Sequence, residues 1–505
     1  MGNQIVNGRD ASASPSKNAD RDRLEFGNAW GYAPSLESTD HIRIPARHEL
    51  FIGGKWQAPK SGVYFDSTSP STDEKLSEFA EANAEDVDLA VQAARTAYDK
   101  YWGKMRGSER AKYIFRIARA IQEKTRELAI IESMDGGKPI KESRDVDMPL
   151  SAAHYFYHAG WADKLEYAFQ GRKARPLGVA AQIIPWNFPF LMAAWKIAPA
   201  LACGNTVVLK PAETTPLSAM WLAKIFEEIE LPPGVVNIVT GAGATGEALA
   251  RHPGVNKVAF TGSTDVGKKI QALLAGTKKR LTLELGGKAA NIIFADAAID
   301  QAIEGIIGGI YFNQGHVCCA GSRLLVEESI HDLVVDKLRD RIATIRIGNP
   351  LDKNTDIGAI NSRKQLDKIT RLADAGERDG ATRFATKCDL PAKGNWFPPT
   401  FFTGVSQSSV IAREEIFGPV LAVMTFRTPE EALEKANNTM YGLSAGVWTD
   451  KGAKSLWMSQ RLNAGVIWSN TYNKFDPSAP FGGFKESGFG REGGRQGLRG
   501  YVEID

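Results

Sequence analysis

Short apolar runs alternate with amphipathic stretches through the middle of the chain. Five runs rich in β-branched residues predict buried strands at 179–184, 206–209, 235–239, 257–260 and 281–285. Because helix-like segments separate them, the fold class is predicted as α/β, with a doubly wound parallel sheet covered by helices on both faces. A similar alternation over 291–467, with runs at 322–326 and 420–426, predicts a second α/β unit. We expect a reactive site in the crevice between the two units.

The regular fold is expected to begin near residue 50. The segment Leu-Phe-Ile-Gly-Gly-Lys-Trp over 50–56 predicts a strand that enters a hairpin turn at its two glycines. Apolar residues at helical spacing then predict two surface helices, around Val87 to Ala94 and around Tyr113 to Ile121. Residues 1–47 are polar, without an apolar stretch that suits a signal peptide or a membrane span, so they are predicted to be an N-terminal extension. A transit peptide is the alternative, and the acidic residues of this stretch argue against it.

The charge balance argues against some classes of partner. The 505 residues include 62 Lys and Arg against 59 Asp and Glu, a net charge of +3. No run of like charges indicates a nucleic-acid or membrane surface, so a small-molecule partner is expected. The four cysteines, Cys203, Cys318, Cys319 and Cys388, have none of the paired spacings of zinc or disulfide frameworks. We therefore expect no metal and a reducing, cytoplasmic location.

Cys318 has neighbours that leave few chemistries open. It lies in the segment Phe-Asn-Gln-Gly-His-Val-Cys-Cys-Ala-Gly-Ser-Arg over 312–323. A thiol is a strong nucleophile only as the thiolate, and covalent catalysis by it needs a nearby base and donors for the oxyanion that it creates. Cys318 is therefore a candidate nucleophile if other segments supply these groups.

Glu284 and Asn187 are the candidates for these roles. Glu284 ends an apolar run, where loss of water should raise the pKa of its carboxyl toward the range of a general base. An ion pair with Lys288 or another cation is the alternative. Asn187 lies in a turn flanked by two prolines, and its amide could donate to an oxyanion together with the Cys318 backbone N–H, or could form only a local bond of the turn. The glycines at 286–287 would let a ligand approach the backbone closely.

Two segments are candidates for holding a dinucleotide. Residues 241–246 match G-x-G-x-x-G after a predicted strand, with Gly243 as the middle glycine, but the usual acidic residue after the next strand is missing. Gly262 and Ser263 open the helix after that next strand and offer free backbone N–H groups and a hydroxyl to a phosphate. An ordinary N-cap by Ser263 or Thr264 is the alternative.

Lys210 and Glu213 follow the strand at 206–209, at the carboxyl end of the sheet, where open α/β folds bind ligands. A carboxylate there can accept hydrogen bonds from both ribose hydroxyls and repels a 2′-phosphate. Glu213 therefore favours NAD over NADP, although Lys210 could still tolerate NADP. A solvent-exposed glutamate at a helix start is the alternative for Glu213.

Seven segments in one order resemble the aldehyde dehydrogenase superfamily, from about Leu50 to the C-terminus. They are Pro-Trp-Asn-Phe-Pro, Lys-Pro-Ala-Glu, Phe-Thr-Gly-Ser-Thr, Leu-Glu-Leu-Gly-Gly-Lys, the cysteine segment, Glu-Ile-Phe-Gly-Pro and Pro-Phe-Gly-Gly, which begin at 185, 210, 260, 283, 312, 415 and 480. The resemblance implies NAD-dependent oxidation of an aldehyde to a carboxylic acid. Cys318 would be the nucleophile that forms a thiohemiacetal and then a thioester, Asn187 the oxyanion donor and Glu284 the base that activates water. Relatives that transfer the acyl group to coenzyme A commonly lack this glutamate, so Glu284 indicates hydrolysis.

The resemblance also implies contacts with the cofactor and with the substrate. Cofactor contacts are expected at Ile184, Trp186, Lys210, Glu213, Gly243, Gly262, Ser263, Leu285, Glu415 and Phe417. A substrate tunnel is implied at Phe188, Met192, Trp195, Phe475 and Phe481, although the first three, taken alone, would be a helix's core stripe. An apolar tunnel without a cation at these positions favours a neutral aliphatic or aromatic aldehyde.

The domain division expected from the resemblance has four parts. Residues 1–47 are the extension, 48–154 and 177–286 a Rossmann-like NAD-binding domain, 287–486 a catalytic domain, and 155–176 with 487–505 a small β oligomerisation element. The resemblance implies a homodimer, and because that element is short here a tetramer stays open.

His316 departs from the family, which usually has Gln or Glu two residues before the nucleophile. A neutral spacer is one interpretation, and a protonated His316 that holds Cys318 as thiolate is the other. Two further functions also stay open: an acylating or semialdehyde-specific dehydrogenase, and a binding or structural protein that kept the fold without turnover. The intact set of Cys318, Glu284 and Asn187 argues against the binding protein.

Overall fold

The structure, a computed structural model, describes residues 33–505. Most of the extension expected over 1–47 therefore lies outside the described residues. Its described part runs beside the segment around residue 351, where the Glu37 N–H donates to the Leu351 carbonyl at 2.8 Å. The Glu37 carboxylate is buried and pairs with Arg126, which anchors this stretch to the folded body.

The strands alternate with helices along the chain, as the apolar runs predict. The strands are β1 (Arg47–His48), β2 (Leu50–Ile52), β3 (Lys55–Gln57), β4 (Tyr64–Thr68), β5 (Lys75–Ala80), β6 (Ala174–Pro176), β7 (Val179–Ile183), β8 (Thr206–Lys210), β9 (Val236–Ile238), β10 (Lys257–Thr261), β11 (Arg280–Glu284), β12 (Ala290–Ile293), β13 (Arg323–Glu327), β14 (Thr382–Ala385), β15 (Thr400–Thr403), β16 (Val420–Phe426), β17 (Tyr441–Gly442), β18 (Ser444–Trp448), β19 (Val466–Ser469), β20 (Phe484–Lys485), β21 (Gly488–Phe489) and β22 (Val502–Ile504).

The helices cover the two large sheets. The α-helices are α1 (Ala84–Lys100), α2 (Gly107–Glu123), α3 (Thr125–Gly136), α4 (Ile140–Glu142), α5 (Met148–Ala159), α6 (Leu165–Ala168), α7 (Pro189–Ala202), α8 (Leu217–Glu228), α9 (Gly243–Arg251), α10 (Thr264–Leu274), α11 (Ile299–Ile310), α12 (His331–Ile342), α13 (Arg363–Arg378), α14 (Val410–Arg413), α15 (Pro429–Asn437), α16 (Gly452–Ser459) and α17 (Gly494–Leu498). Single 3₁₀ turns occupy Trp102–Lys104, Glu328–Ile330 and Arg499–Tyr501, a turn with left-handed residues occupies Phe312–Gly315, and a π-helical turn occupies Ser143–Asp147.

The predicted hairpin and the first predicted helices are present. β2 and β3 pair antiparallel across Gly53 and Gly54, whose positive φ angles of 62° and 73° suit glycine. α1 begins at the N-cap Asn83, whose side chain accepts from the Asp86 N–H while Asp86 accepts from the Asn83 N–H. α1 and α2 bury one apolar face each and leave a polar face in solvent.

The first large sheet has eight strands in the order β21-β11-β10-β7-β8-β9-β2-β3. Its five central strands, β7 to β11, are parallel. If they are numbered one to five along the chain, they lie side by side in the order three-two-one-four-five. This confirms the predicted doubly wound sheet, in which the strand order reverses between β7 and β10. Ligands of such sheets bind outside the carboxyl ends of the strands at the reversal.

The second large sheet has seven strands in the order β14-β15-β16-β13-β12-β18-β19, all parallel except the edge strand β14. It confirms the second predicted α/β unit. Separate apolar clusters fill the space between each sheet and its helices.

Two segments differ from the domain division expected from the sequence. Strand β6 pairs antiparallel with β22 in a two-stranded sheet, but residues 155–159 form the end of α5, which packs on α2 and α7. Strand β21, within 487–505, extends the first sheet by pairing antiparallel with β11. Its register places Gly488 opposite Glu284, so this C-terminal stretch contributes to the cofactor sheet as well as to the small sheet.

In residues 33–505, no helix combines the length and the apolar content needed to cross a membrane.

Candidate active site

A cavity of about 180 Å³ lies beyond the carboxyl ends of β7, β10 and β11. Residues of the second α/β unit complete its lining, among them Cys318, Glu415 and Phe417. The cavity gathers most of the site residues expected from the sequence, namely Trp186, Asn187, Phe188, Met192, Trp195, Gly262, Ser263, Glu284, Leu285, Cys318, Glu415, Phe417, Phe475 and Phe481. The strand-order reversal of the first sheet and the cysteine loop of the second unit therefore meet at one site.

Four expected cofactor contacts, Ile184, Lys210, Glu213 and Gly243, lie outside the cavity lining. The Lys210 ammonium is buried, donates to the Pro211 carbonyl at 2.8 Å and lies 3.7 Å from a carboxylate oxygen of Glu213. The Glu213 side chain is 54% exposed, which leaves its carboxylate open to a ligand from solvent. Gly243 begins α9 with open space around it. The roles of these four residues stay predictions.

Cys318 lies between α11 and β13 and is partly buried. A hydrogen bond with the neighbouring Cys319 thiol and burial hold the pKa of the Cys318 thiol well above its usual range. The resting side chain is therefore a neutral thiol, and attack on a carbonyl requires a base.

Cys319 holds the cysteine loop against the second sheet. Its carbonyl accepts from the Ser444 hydroxyl at 3.1 Å and from the Tyr472 hydroxyl at 2.9 Å, and its thiol lies 3.7 Å from the Asn473 side-chain oxygen. These bonds position the residue after the nucleophile.

Glu284 is the last residue of β11 and is buried beside the cavity. Within residues 33–505 neither of its carboxylate oxygens has a hydrogen-bond partner. Burial, followed by the nearby Glu492, raises the pKa of the Glu284 carboxyl well above its usual value, as predicted. The alternative of an ion pair with Lys288 is wrong, because the buried Lys288 ammonium has no partner in the described part of the chain.

A buried ion pair of Lys196 and Glu492 adjoins Glu284. Lys196 belongs to α7 and is completely buried, and Glu492 lines the cavity. The negative charge of Glu492 raises the pKa of Glu284, and the positive charge of Lys196 opposes it. The sequence analysis missed this pair, although a lone lysine inside the apolar helix 189–202 was a signal for a buried charge with a partner.

Asn187 reaches across to the cysteine segment. Its Nδ2 atom donates to the His316 carbonyl at 2.7 Å, a contact between residues 129 positions apart in the sequence. The alternative of a purely local turn bond is therefore wrong. An asparagine amide has two N–H groups, so one stays available to an oxyanion. The Cys318 N–H, which has no partner within residues 33–505, is a second donor.

His316 is buried between two aromatic rings. Its imidazole lies 4.8 Å from the Trp186 ring, edge to face, and stacks on Phe417 at 5.9 Å. Burial, with a smaller contribution from the Lys138 charge, lowers the pKa of His316 to about 3. The imidazole is neutral near pH 7, so the hypothesis of a protonated His316 is wrong.

The turn between β10 and α10 differs from the predicted phosphate seat. The Gly262 N–H is not free, because it donates to the Glu284 carbonyl at 3.1 Å. The Ser263 hydroxyl caps α10 by accepting from the Val266 N–H at 3.4 Å, which agrees with the N-cap alternative. Two buried hydroxyls beside it, those of Thr261 and Thr264, have no hydrogen-bond partner within residues 33–505, and of these two residues only Thr261 lines the cavity.

Glu415 and Phe417 form the other side of this end of the cavity. The partly buried Glu415 carboxylate accepts from the Gly287 N–H at 2.9 Å, and any side chain at Gly286 would collide with it. Gly286 therefore makes room for Glu415 and Gly287 makes room for the Cys318 carbonyl, where the sequence suggested room for a ligand. Phe417 has a left-handed φ of 57°, and Gln365 holds it by donating to its carbonyl at 2.9 Å.

Gln365 and Lys368 line the cavity from α13, and the sequence analysis did not identify them. They come from a polar surface helix without a motif, so no sequence signal distinguished them from other exposed residues.

The far end of the cavity is aromatic. Trp195, Phe475 and Phe481 pack with ring centroids 5.6 to 6.1 Å apart. The remaining apolar lining that the sequence analysis did not include is Val146, Leu150, Leu191, Phe312 and Val317. This end suits an apolar group.

The chain matches known proteins over most of its length. A model of the aldehyde dehydrogenase family matches residues 56–505. Retinal dehydrogenase 2 of Homo sapiens is 45% identical over 469 residues, which cover 90% of this chain and 90% of that protein. The NAD⁺ complex of an aldehyde dehydrogenase from Bacillus cereus superimposes with a TM-score of 0.90 at 40% identity, over 94% of this chain and 98% of that one. An NAD-dependent aldehyde dehydrogenase from Sinorhizobium meliloti gives 0.89 at 40% identity, over 93% and 96%.

Proposed function

The chain belongs to the aldehyde dehydrogenase family, and on this premise we propose that it oxidises a neutral aldehyde to a carboxylic acid with NAD, through an acyl group on Cys318. The observation that carries the proposal is the single cavity lined by Cys318, Glu284 and Asn187. A thiol, a carboxylate without a partner and an amide donor are the parts that thiol-based acyl chemistry requires.

In the first step the Cys318 sulfur adds to the aldehyde carbon and loses its proton. Glu284 is the proposed acceptor of that proton, since it lines the same cavity as Cys318, its carboxylate oxygens have no hydrogen-bond partner within residues 33–505, and its pKa is raised above the usual value. The carbonyl oxygen becomes an oxyanion that the free N–H of Asn187 and the Cys318 N–H stabilise. Removing one such donor typically costs about 3 to 4 kcal/mol of transition-state stabilisation.

When bound, NAD supplies the acceptor for the hydride that leaves the thiohemiacetal carbon, which becomes a thioester. Thr261 would offer a hydroxyl to the phosphates, Glu415 a carboxylate to a ribose, and Trp186 and Phe417 apolar faces. The exposed Glu213 carboxylate supports NAD over NADP because it would repel a 2′-phosphate.

Glu284 then has a second role. It removes a proton from the water that attacks the thioester, and the carboxylic acid and the Cys318 thiol are released. Its location in a buried site without competing hydrogen bonds supports this role. The Lys196–Glu492 pair next to it sets the local charge.

A neutral aliphatic or aromatic aldehyde is the proposed substrate. The aromatic end of the cavity supports it, since Trp195, Phe475 and Phe481 present apolar rings. Within residues 33–505 one lysine lines the cavity, Lys368, and it is on the Glu415 side, where the cofactor is proposed to bind.

A homodimer and a cytoplasmic location are further proposals. The small sheet of β6 and β22 has outer edges that no other strand of residues 33–505 covers, which suits pairing with a second copy. All four cysteines are free thiols, which suits a reducing compartment. Light scattering would give the number of chains in solution.

The test is NADH formation with a panel of neutral aldehydes, measured for the wild type and for Cys318→Ser, with and without coenzyme A. We expect NADH from the wild type, a carboxylic acid product in both conditions and no turnover by the variant. No NADH from any aldehyde would favour a binding protein. An acyl-coenzyme A product would favour the acylating alternative.

A further inference from the structure

Asn313 connects the segments that build the oxyanion site. Its Nδ2 atom donates to the Asn187 carbonyl at 2.7 Å and lies 3.4 Å from the His316 carbonyl. Asn187 itself donates to the same His316 carbonyl. The Asn313 amide therefore joins the turn that contains the oxyanion donor to the loop that contains the nucleophile. The turn and the loop belong to different α/β units.

The backbone at this point is unusual. Asn313, Gln314 and Gly315 form a run of left-handed residues with φ angles of 48°, 53° and 73°. Asparagine tolerates this region better than most residues, whereas glutamine does not. Such a run persists only where surrounding contacts hold it, and it turns the Asn313 side chain toward Asn187.

Glu142 provides one of those contacts from outside both catalytic segments. Its carboxylate, at the end of α4, accepts from the Asn313 backbone N–H at 2.9 Å. Glu142 is buried next to the pair formed by Lys138 and Asp147, whose atoms are 2.6 Å apart. Burial raises the pKa of Glu142 to about 8. An oxygen of the carboxyl accepts the Asn313 N–H in either protonation state.

We propose that Asn313, held by Glu142, is a positioning residue that fixes Asn187 as the oxyanion donor beside Cys318. The inference rests on the proposed function, since it assumes that Asn187 stabilises an oxyanion. Loss of the Asn313 side chain would leave the Asn187 carbonyl without its cross-loop donor and let the turn shift. Displacement of a catalytic group by about 1 Å can lower a rate by about 100-fold.

The left-handed run allows a matched pair of variants. Asn313→Gly removes the donating amide while glycine accepts the same backbone conformation. Gln314→Gly is the control, because Gln314 has the same conformation but bonds to the framework residues Ala359 and Gly358 instead of Asn187. Both variants are made in the wild type and in an Asn187→Ala background.

We expect Asn313→Gly to lower kcat by about 10- to 100-fold with the KM for NAD unchanged within about two-fold. Gln314→Gly should change kcat by less than about three-fold, whatever it does to the melting temperature. In the Asn187→Ala background, adding Asn313→Gly should lower kcat by less than about two-fold, because the amide that Asn313 positions is already absent. An unchanged kcat, or the same fold-loss in both backgrounds, would overturn the proposal.

A second set covers the case in which Asn313→Gly does not fold, judged by circular dichroism and by NAD binding. Glu142→Gln keeps an oxygen that can accept the Asn313 N–H, whereas Glu142→Ala removes it. We expect a loss of kcat in the alanine variant and its rescue in the glutamine variant, and equal kcat values in the two would reject the role of Glu142. If the wild type itself forms no NADH, the proposed function fails, and this outcome is distinct from failure of the positioning role.

Discussion

Gly482 lies directly against the carboxylate of Glu284. A Cβ atom at Gly482 would lie 2.8 Å from Oε1 of Glu284 and 2.7 Å from the Gly490 carbonyl oxygen. Gly482 also has a φ of 156°, a conformation that side chains rarely adopt. The Pro-Phe-Gly-Gly segment is therefore part of the wall that keeps the proposed base in place.

Gly482→Ala should displace Glu284 and slow hydrolysis of the thioester. The first turnover of NADH and the steady-state rate should both fall by roughly 10-fold or more, because each step needs the base within hydrogen-bond reach of the proton that it accepts. Stopped-flow NADH absorbance measures both phases. Gly380→Ala, where φ is 91° but no atom lies within 4 Å of the new Cβ, is the control for backbone strain alone. Equal losses in the two variants would show that strain, and not contact with Glu284, is responsible.

Glu284→Gln should slow both halves of the reaction. The amide cannot accept a proton from the Cys318 thiol or from water, so we expect the steady-state rate to fall by about 100- to 10,000-fold. Stopped-flow absorbance should show that the first turnover of NADH is slowed as well. A variant that turns over normally would remove Glu284 from the mechanism.

The pH dependence follows from the two raised pKa values. The thiol of Cys318 and the carboxyl of Glu284 both have pKa values above their usual ranges, so their protonated forms dominate at low pH. Because attack needs a deprotonated thiol and hydrolysis a deprotonated carboxyl, kcat/KM, which includes the attack, and kcat, which includes the hydrolysis, should both rise with increasing pH. A profile that is flat from pH 6 to pH 9 would contradict these shifts.

His316→Gln should leave the thiol reactivity unchanged. The pKa of His316 is about 3, so its imidazole is neutral across the physiological range and contributes no charge to Cys318. The rate of Cys318 alkylation by iodoacetamide against pH should therefore coincide for wild type and variant. A shift of the profile to higher pH in the variant would restore the rejected hypothesis of a protonated His316.

Replacing two glycines of α11 by alanine should have opposite effects on stability. Gly308 is exposed and has no atom within 4 Å of a new Cβ, so Gly308→Ala should raise the free energy of unfolding by about 0.5 to 1 kcal/mol. Gly305, one turn earlier, faces the Trp448 ring, with which a Cβ would collide. Gly305→Ala should therefore lower the free energy of unfolding by about 1 to 3 kcal/mol. Urea unfolding followed by circular dichroism measures both, and equal signs would contradict the packing of α11 on β18.

Most of the elements and site residues that could be predicted were recognisable from residues close together in the sequence. The strands β7 to β11 were predictable because fully buried parallel strands are continuous apolar runs. Glu284 was predictable as a base because its position at the end of such a run implies desolvation, and the structure confirms the raised pKa. Lys196 and Glu492, 296 positions apart, were not paired in advance because neither position carries information about the other.

The sequence by itself determined the α/β class, the identity of the thiol, carboxylate and amide candidates, and the resemblance to the family, since each depends on local pattern or on motifs in order. Only the tertiary structure decided which of these groups meet. It placed the Asn313 amide within hydrogen-bond distance of the Asn187 carbonyl and paired the Gly262 N–H with the Glu284 carbonyl. It also buried His316 among aromatic rings, where its imidazole stays neutral. The physical reason is that hydrogen bonds, burial and pKa values depend on distances between segments far apart in the chain, and these distances exist only after the two sheets have packed.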